Sequence, residues 1–164
     1  MSTTETTKVP ARFPEELVSS TLFLLKRLGM TAKEQSLGGY DEAGLHPYHH
    51  AILAALDEGS RETQGAIADA LGYDKGMLVG FLDELEEAGH IVRQRDPADR
   101  RRHVVEMTPT GRTALEKARR ISADLEDGFL APLSEKEREE LHALLLTLAE
   151  HHLPRCRFAA AHKS

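Results

Sequence analysis

The chain has 164 residues, a length that suits one domain or one domain with added oligomerisation helices. Hydrophobic residues make up 40% of it, which excludes wholesale disorder, and its single cysteine, Cys156, excludes an internal disulfide framework and a cysteine-rich zinc site. The net charge of −6 is unevenly distributed, because residues 90–120 hold nine Lys or Arg against four Asp or Glu.

The sequence predicts a soluble cytoplasmic protein without a membrane partner. No apolar run approaches the ~20 residues that a membrane-spanning helix needs. Residues 1–12 are interpreted as a flexible polar leader, because they lack the apolar core of a signal peptide. We expect Cys156 to be an incidental thiol, with a redox switch as the alternative, since Arg155 and Arg157 flank it in the sequence.

The first predicted helix covers residues 14–28, where leucines recur at helical spacing and Pro14 suits the first turn. Its apolar face is broader than a helix that rests on one domain requires, so we assign residues 13–30 to a dimerisation region. Residues 29–45 contain four glycines and are interpreted as a connection.

Two short helices separated by a glycine-containing turn follow a helix predicted over 47–59. Thr63 is expected to cap the first of the two, over 64–71. Asp74 is expected to cap the second, which ends near Ala88. Such a pair is typical of a helix-turn-helix.

β-prone runs at 91–95 and 103–107 flank a turn that contains Pro and Asp. They predict a hairpin directly after the helix-turn-helix, which is the arrangement of a wing. Thr108 and Pro109 then predict the cap and first residue of a long helix. Ser134 begins a capping box that opens the last helix.

Together these elements predict a mainly α fold with a small β-hairpin wing. We expect a winged helix-turn-helix domain over residues 45–111. Helices within 13–30 and 112–160 flank it and form the dimerisation region.

Four stretches, in this order and at this spacing, resemble the multiple antibiotic resistance regulator (MarR) family: Thr63-Gln64 with Ile67-Ala68 and Leu71-Gly72; Phe81-Leu82-Asp83-Glu84-Leu85-Glu86 with Gly89 and Ile91; Asp96-Pro97-Ala98-Asp99-Arg100-Arg101; and Thr108-Pro109-Thr110-Gly111-Arg112. The resemblance covers residues 45–115. It implies a homodimer whose N- and C-terminal helices interlock and hold two winged domains over successive half-sites of a palindromic operator. It also implies repression that a small phenolic or carboxylate effector relieves.

The wing is expected to supply most of the affinity for double-stranded DNA. Arg100, Arg101 and Arg102 at its tip can reach phosphates or the minor groove. Asp96 and Asp99 are expected to hold one of these arginines in place by a charge-assisted pair rather than to contact DNA. The alternative is a solvated, charged turn without a ligand.

Other DNA contacts are expected around the helix-turn-helix. The start of the 64–71 helix suits phosphates. On the next helix, Gly76 and Gly80 permit close backbone approach to the duplex, and Met77 or Val79 can contact a thymine methyl group. The alternative for the glycines is that packing holds the helix despite their cost. The full set of these expected contacts is Thr63, Gln64, Asp74, Lys75, Gly76, Met77, Val79, Gly80 and Arg93.

His46, His49 and His50 form the most conspicuous polar cluster, because spacings of three and four place them on one helical face. Neutral imidazoles so arranged can bind zinc, so a metal-responsive regulator is an alternative, although no metal or other cofactor is predicted. We expect Tyr48 and His49 instead to contact an organic effector, between the 47–59 helix and the long helix that follows the wing.

The sequence has no nucleophile–base motif, phosphate-binding loop or metallohydrolase HExxH motif, so the chain is not expected to be an enzyme. A winged domain that binds only other proteins remains an alternative.

Overall fold

A computed structural model describes residues 12–59 and 61–153, with Arg61 represented by its backbone. The described chain divides into one compact unit that ends at Gln35 and a second that begins at Ser36. Across these ranges, no helix is both long enough and apolar enough to cross a membrane.

Three sequence predictions concern residues outside the described ranges. The leader predicted over 1–12 lies outside them except at Arg12, and so does Cys156. The end of the 112–160 dimerisation region is likewise described only as far as Leu153.

The single helix predicted over 14–28 is interrupted. The structure has a short helix α1 (Glu15–Val18) and a long helix α2 (Thr21–Asp41). Between them, the hydroxyl of Ser19 donates to the Glu15 carbonyl at 2.9 Å, and Ser20 Oγ accepts from the Phe23 N–H at 3.3 Å. Serine side chains that bond to nearby backbone compete with the helical ladder, which explains the break.

The connection predicted over 29–45 is wrong, because α2 continues to Asp41. Glycine weakens a helix but does not end it where packing supports the backbone. At Gly39 the helix packs closely against Leu125, since a Cβ there would lie 2.9 Å from Cδ2 of Leu125 and would displace that side chain. Of the four glycines in this segment, only Gly44 has a positive φ, 69°, and it follows the end of the helix.

The second unit contains the end of α2 and then α3 (Pro47–Gly59), β1 (Arg61–Thr63), α4 (Gln64–Leu71), α5 (Lys75–Glu87), β2 (Ile91–Arg95), β3 (His103–Met107), α6 (Pro109–Phe129) and α7 (Glu135–His152). The elements from α3 to β3, apart from β1, agree with the predicted ones to within two residues, and α6 and α7 begin at their predicted positions.

The predicted helix caps are confirmed. The Thr63 hydroxyl accepts from the Ala66 N–H at 3.1 Å at the start of α4, and the Thr108 hydroxyl accepts from the Gly111 N–H at 3.0 Å at the start of α6. The capping box that begins at Ser134 is complete, with both of its reciprocal hydrogen bonds present. Each cap supplies an acceptor to N–H groups that have no partner within the helix.

The wing is part of a three-stranded antiparallel sheet with the order β1-β3-β2. Thr63 pairs with Val104 across β1 and β3, and Arg93 pairs with Val105 across β2 and β3. The sequence did not predict β1, because three residues are too few to display an alternating pattern. The predicted two-stranded hairpin therefore has a third strand, β1, which pairs with β3.

One hydrophobic core joins α3, α4, α5, α6 and the sheet. Its buried members are Ile52, Leu53, Leu56, Ile67, Ala68, Leu78, Leu82, Leu85, Ile91, Val105, Ala114 and Leu115. Because α5 supplies three of these side chains and each of β2 and β3 supplies one, burial of this apolar surface holds α5 close to the root of the wing.

The start of α6 is packed onto the turn between α5 and β2. Gly111 is buried there, and a Cβ at this position would overlap the carbonyl oxygen of His90. The same carbonyl accepts from the Thr108 N–H at 3.0 Å, and the Thr108 hydroxyl donates to the Gly89 carbonyl at 2.7 Å. The fold therefore requires glycine at position 111.

Candidate nucleic-acid interface

A groove of about 660 Å³ lies between the start of α4, the exposed side of α5 and the wing. It is lined by Thr63, Gln64, Gly65, Ala66, Asp69, Lys75, Leu78, Val79, Arg101, Arg102 and His103. Three separate elements thus bring six of the expected DNA contacts to one surface: Thr63, Gln64, Lys75, Val79, Arg101 and Arg102. The expected contacts that do not line this groove are Asp74, Gly76, Met77, Gly80, Arg93 and Arg100.

The N-terminus of α4 opens onto the groove through Thr63, Gln64 and Gly65. N–H groups in the first turn of a helix lack intrahelical acceptors, and the helix dipole makes this end partially positive. The site therefore suits an anionic oxygen such as that of a phosphate.

Asp74 has a structural role at the start of α5. Its Oδ1 accepts from the N–H groups of Gly76 at 2.9 Å and Met77 at 3.2 Å. Asp74 therefore holds the first turn of the helix from which Lys75 and Val79 line the groove.

After Lys75, the exposed residues in the first two turns of α5 are uncharged: two glycines and two apolar side chains. The side chains of Met77 and Val79 are 37% and 40% exposed, and Gly76 and Gly80 lie four residues apart. A Cβ at Gly76 would lie 3.1 Å from Asp74 Oδ1, whereas a Cβ at Gly80 would meet nothing within 4 Å. Packing within the chain thus gives no reason for glycine at position 80.

Asp96 and Asp99 organise the tip of the wing. Asp96 Oδ1 accepts from the Ala98 N–H at 2.9 Å, and Asp99 Oδ1 accepts from the Arg101 N–H at 3.1 Å. The Asp99 carboxylate also lies 3.4 Å from Nε of Arg101 and 3.5 Å from Nε of Arg102. Both guanidinium groups remain open to solvent, with side chains 93% and 67% exposed.

Arg93 is held against α5. Its guanidinium donates to Asp83 Oδ1 at 2.5 Å and to Glu86 Oε2 at 2.6 Å, and its side chain is only 18% exposed. These hydrogen bonds raise the pKa of Arg93 and lower the pKa of Glu86, so both groups are charged at neutral pH. The sequence signal for this arrangement is a pair of acids three residues apart on α5, followed by an arginine on the strand face that Ile91 occupies.

An aromatic cluster, comprising His46, Tyr48, His49, Tyr73 and Phe81, lies between α3 and α5. Phe81 is central to it, with its ring centroid 4.9 Å from that of His46, 4.8 Å from that of Tyr48 and 5.6 Å from that of His49. Tyr48 also contacts Tyr73, with the ring centroids 4.9 Å apart. The cluster thus connects three of the predicted effector and metal residues to the middle of α5, whereas the sequence predicted the effector site between α3 and α6.

The three clustered histidines bind different partners. His49 Nε2 lies 2.7 Å from Glu84 Oε2, while His50 Nδ1 lies 2.6 Å from the Tyr40 hydroxyl. His46 Nδ1 accepts from the Tyr48 N–H at 3.1 Å. Within residues 12–59 and 61–153, no group of three or more His, Cys, Asp or Glu could hold a metal ion. The structure therefore gives the zinc-responsive alternative no support.

Burial lowers the pKa of His49, although the carboxylate of Glu84 acts in the opposite direction. Burial also lowers the pKa of His50, and the nearby Arg119 lowers it further. Both imidazoles are therefore neutral at pH 7 and able to accept as well as donate a hydrogen bond.

Comparisons with known proteins agree with this architecture. The sequence profile of the MarR family matches residues 43–102. A putative transcriptional regulatory protein for the hcr operon of Thauera aromatica is 35% identical over 105 residues, which cover 64% of this chain and 63% of that protein. The chain thus matches slightly less than two thirds of that relative's length.

Two solved structures match more of the chain. The transcriptional repressor CouR, bound to a 23-mer DNA duplex, is 32% identical, with 85% of this chain and 99% of that chain covered and a TM-score of 0.75. A probable transcriptional regulator from Pseudomonas aeruginosa is 30% identical, with 80% and 98% covered and a TM-score of 0.71.

Proposed function

The chain belongs to the MarR family, and on this premise we propose that it is a DNA-binding transcriptional regulator that acts as a homodimer on a palindromic operator. The groove between α4, α5 and the wing carries the proposal, because it brings six of the twelve expected contacts, from three elements, to one surface. CouR, a relative of known structure, is described as a repressor on a DNA duplex, and we propose repression for this chain as well.

In the proposed complex, each part of the groove has a separate role. The start of α5 enters the major groove, where Lys75 meets a phosphate or a base acceptor and the apolar side chains of Met77 and Val79 meet thymine methyl groups. The wing arginines and the N-terminus of α4 hold the phosphate backbone. Affinity should then fall steeply as salt concentration rises.

The first experiment tests the wing. A duplex is selected from a random-sequence pool by the full-length protein, and its affinity for the R101A variant is measured by fluorescence anisotropy. We expect binding at least tenfold weaker, since Arg101 is the most exposed of the paired wing arginines. The R120A variant removes an exposed arginine of α6 outside the groove and should bind as the wild type does.

Two outcomes would count against the proposal. Unchanged affinity of the R101A variant at moderate salt contradicts the role of the wing. Failure of the wild-type protein to enrich any duplex contradicts DNA binding itself and favours a domain that binds only proteins.

Exposed leucines support the homodimer. On α7, Leu144, Leu145 and Leu148 are 66%, 40% and 46% exposed, and on α2 Leu22 is 77% exposed. Large apolar side chains left exposed within a few residues of one another, as on α7, are typical of interaction surfaces. The selected duplex should therefore bind two chains, which sedimentation of the complex measures directly.

We propose that a phenolic or carboxylate effector binds at Tyr48 and His49 and releases the duplex. His49 already holds one carboxylate, that of Glu84, and aromatic rings surround it. Because Glu84 and Phe81 belong to α5, a ligand that displaces them would move α5. The two α5 helices of the dimer would then no longer fit half-sites that lie about 34–36 Å apart along the duplex.

The effector proposal can be tested with 4-hydroxybenzoate as the probe. It should release the bound duplex from the wild-type protein. The H49A variant should retain the duplex at the same concentration, because it lacks the imidazole that would hold the ligand carboxylate. Equal release from both proteins would show that His49 is not part of the effector site.

A further inference from the structure

Four hydrogen bonds fasten the second strand of the wing sheet to α5, and Arg93 supplies all of them. Its guanidinium bonds to Asp83 at 2.5 Å and to Glu86 at 2.6 and 3.0 Å. Its backbone N–H donates to Glu86 Oε1 at 3.1 Å. Glu86 thus receives both the main chain and the side chain of one residue, which fixes β2 in orientation as well as in distance.

Arg93 lies where it can fix the orientation of the wing relative to α5. It pairs in register with Val105 of β3, and β3 begins at His103, directly after Arg102 of the wing tip. The carboxylates that hold Arg93 lie on α5, the helix that brings Lys75 to the other side of the groove. The contact therefore joins α5 to the wing sheet, and these two elements form opposite walls of the groove.

The contact is better suited to fixing geometry than to stabilising the fold. The side chains of Asp83 and Glu86 are 59% and 40% exposed, and ion pairs with exposed partners contribute little to stability. A guanidinium forked between two carboxylates, in contrast, accepts only a narrow range of orientations. With Nε and Nη2 bonded to these carboxylates and its side chain only 18% exposed, Arg93 is also poorly placed to meet a phosphate.

We infer that Arg93 is a positioning residue that sets the angle between α5 and the wing through Asp83 and Glu86, and that it does not contact DNA. The inference rests on the proposed function, since the angle matters only if both walls of the groove bind one duplex. It differs from the sequence-based expectation, in which Arg93 was one of the DNA contacts.

Substitution of Glu86 distinguishes a positioning role of Arg93 from a phosphate contact, because the two roles predict different changes in DNA affinity. If Arg93 positions the wing, the E86Q variant should bind the selected duplex at least fivefold more weakly than the E87Q variant. Glu87 is the neighbouring exposed residue of α5, so its substitution removes the same charge and leaves the Arg93 contact intact. If Arg93 instead binds a phosphate, loss of the competing carboxylate frees it, and the E86Q variant should bind at least as tightly as the E87Q variant.

Salt dependence provides an independent measurement. Each lost phosphate contact lowers the slope of log K against log salt by about 0.9, so two copies of Arg93 in a dimer would account for about 1.8. We expect the R93A variant to bind at least tenfold more weakly with an unchanged slope. The R93K variant should bind the duplex equally weakly, because lysine keeps the positive charge but lacks the planar set of donors that bonds to both carboxylates.

Three results would overturn the inference. They are a slope reduced by about 1.8 in the R93A variant, wild-type affinity in the R93K variant, and equal affinities for the E86Q and E87Q variants. Should the R93A variant fail to fold, the comparison of E86Q with E87Q still decides. Failure of the wild-type protein to bind any duplex would instead refute the proposed function, so the two failures are distinguishable.

Discussion

Substitution of Gly80 by alanine should stabilise the protein and weaken its binding to DNA. Gly80 lies in the interior of α5, where alanine is favoured over glycine by about 0.5–1 kcal/mol. A Cβ at this position would meet nothing within 4 Å, so no strain offsets the gain. For a chain of this size, the melting temperature should rise by roughly 1–4 °C.

The same methyl group should impair the proposed complex. If the backbone at Gly80 approaches the duplex closely, a Cβ would separate the two surfaces, and affinity for the selected duplex should fall at least tenfold. The assay combines thermal unfolding at one fixed protein concentration with fluorescence anisotropy on the same preparation. We expect the melting temperature to rise and the affinity for the duplex to fall.

The G128A variant is the matched control. Gly128 lies near the end of α6, is exposed and also has open space around it, so alanine there tests helix propensity away from the groove. It should leave DNA affinity unchanged. A G80A variant that is more stable yet binds DNA as tightly as the wild type would refute the close approach.

Two further predictions concern stability. The G111A substitution should lower the free energy of unfolding by at least about 1–3 kcal/mol, as expected for overpacking, because its Cβ would overlap the His90 carbonyl. Chemical denaturation measures this loss. Wild-type stability of the variant would contradict the packing described for α6. Burial lowers the pKa values of His49, His50 and His90 from 6.5 in the folded chain, so the unfolded chain binds more protons as pH falls through that value. The free energy of unfolding should therefore decrease between pH 7.5 and 5.5, and a pH-independent free energy would contradict this.

Local signals account for most of what the sequence predicted correctly. The caps at Thr63, Thr108 and Ser134 depend on a side chain and a backbone group three residues away, and such pairs are visible in the sequence. The wing strands were found because β-prone residues flank a turn. The groove followed from these elements, since a helix-turn-helix and a wing place their exposed residues on a common side.

Contacts between distant residues account for what the sequence did not predict. The glycines after residue 28 suggested a connection, but Leu125 packs against Gly39 and no local pattern reveals that pair. From the sequence alone, Arg93 is predicted as a DNA contact. Only the turn that returns β2 along α5 brings it to Glu86.

The position of Thr63 and Thr108 determines where this fold can change in length. Thr63 is both the last residue of β1 and the cap of α4, and Thr108 follows β3 directly and caps α6. An extra residue at either position would separate a cap from its helix or shift a strand by one residue and reverse its faces. The turn at 96–102, in contrast, connects two strands and contains no helix cap. Insertions and deletions should therefore be tolerated at the tip of the wing, where they change its reach, and not at its root, where they would disturb a strand or a cap.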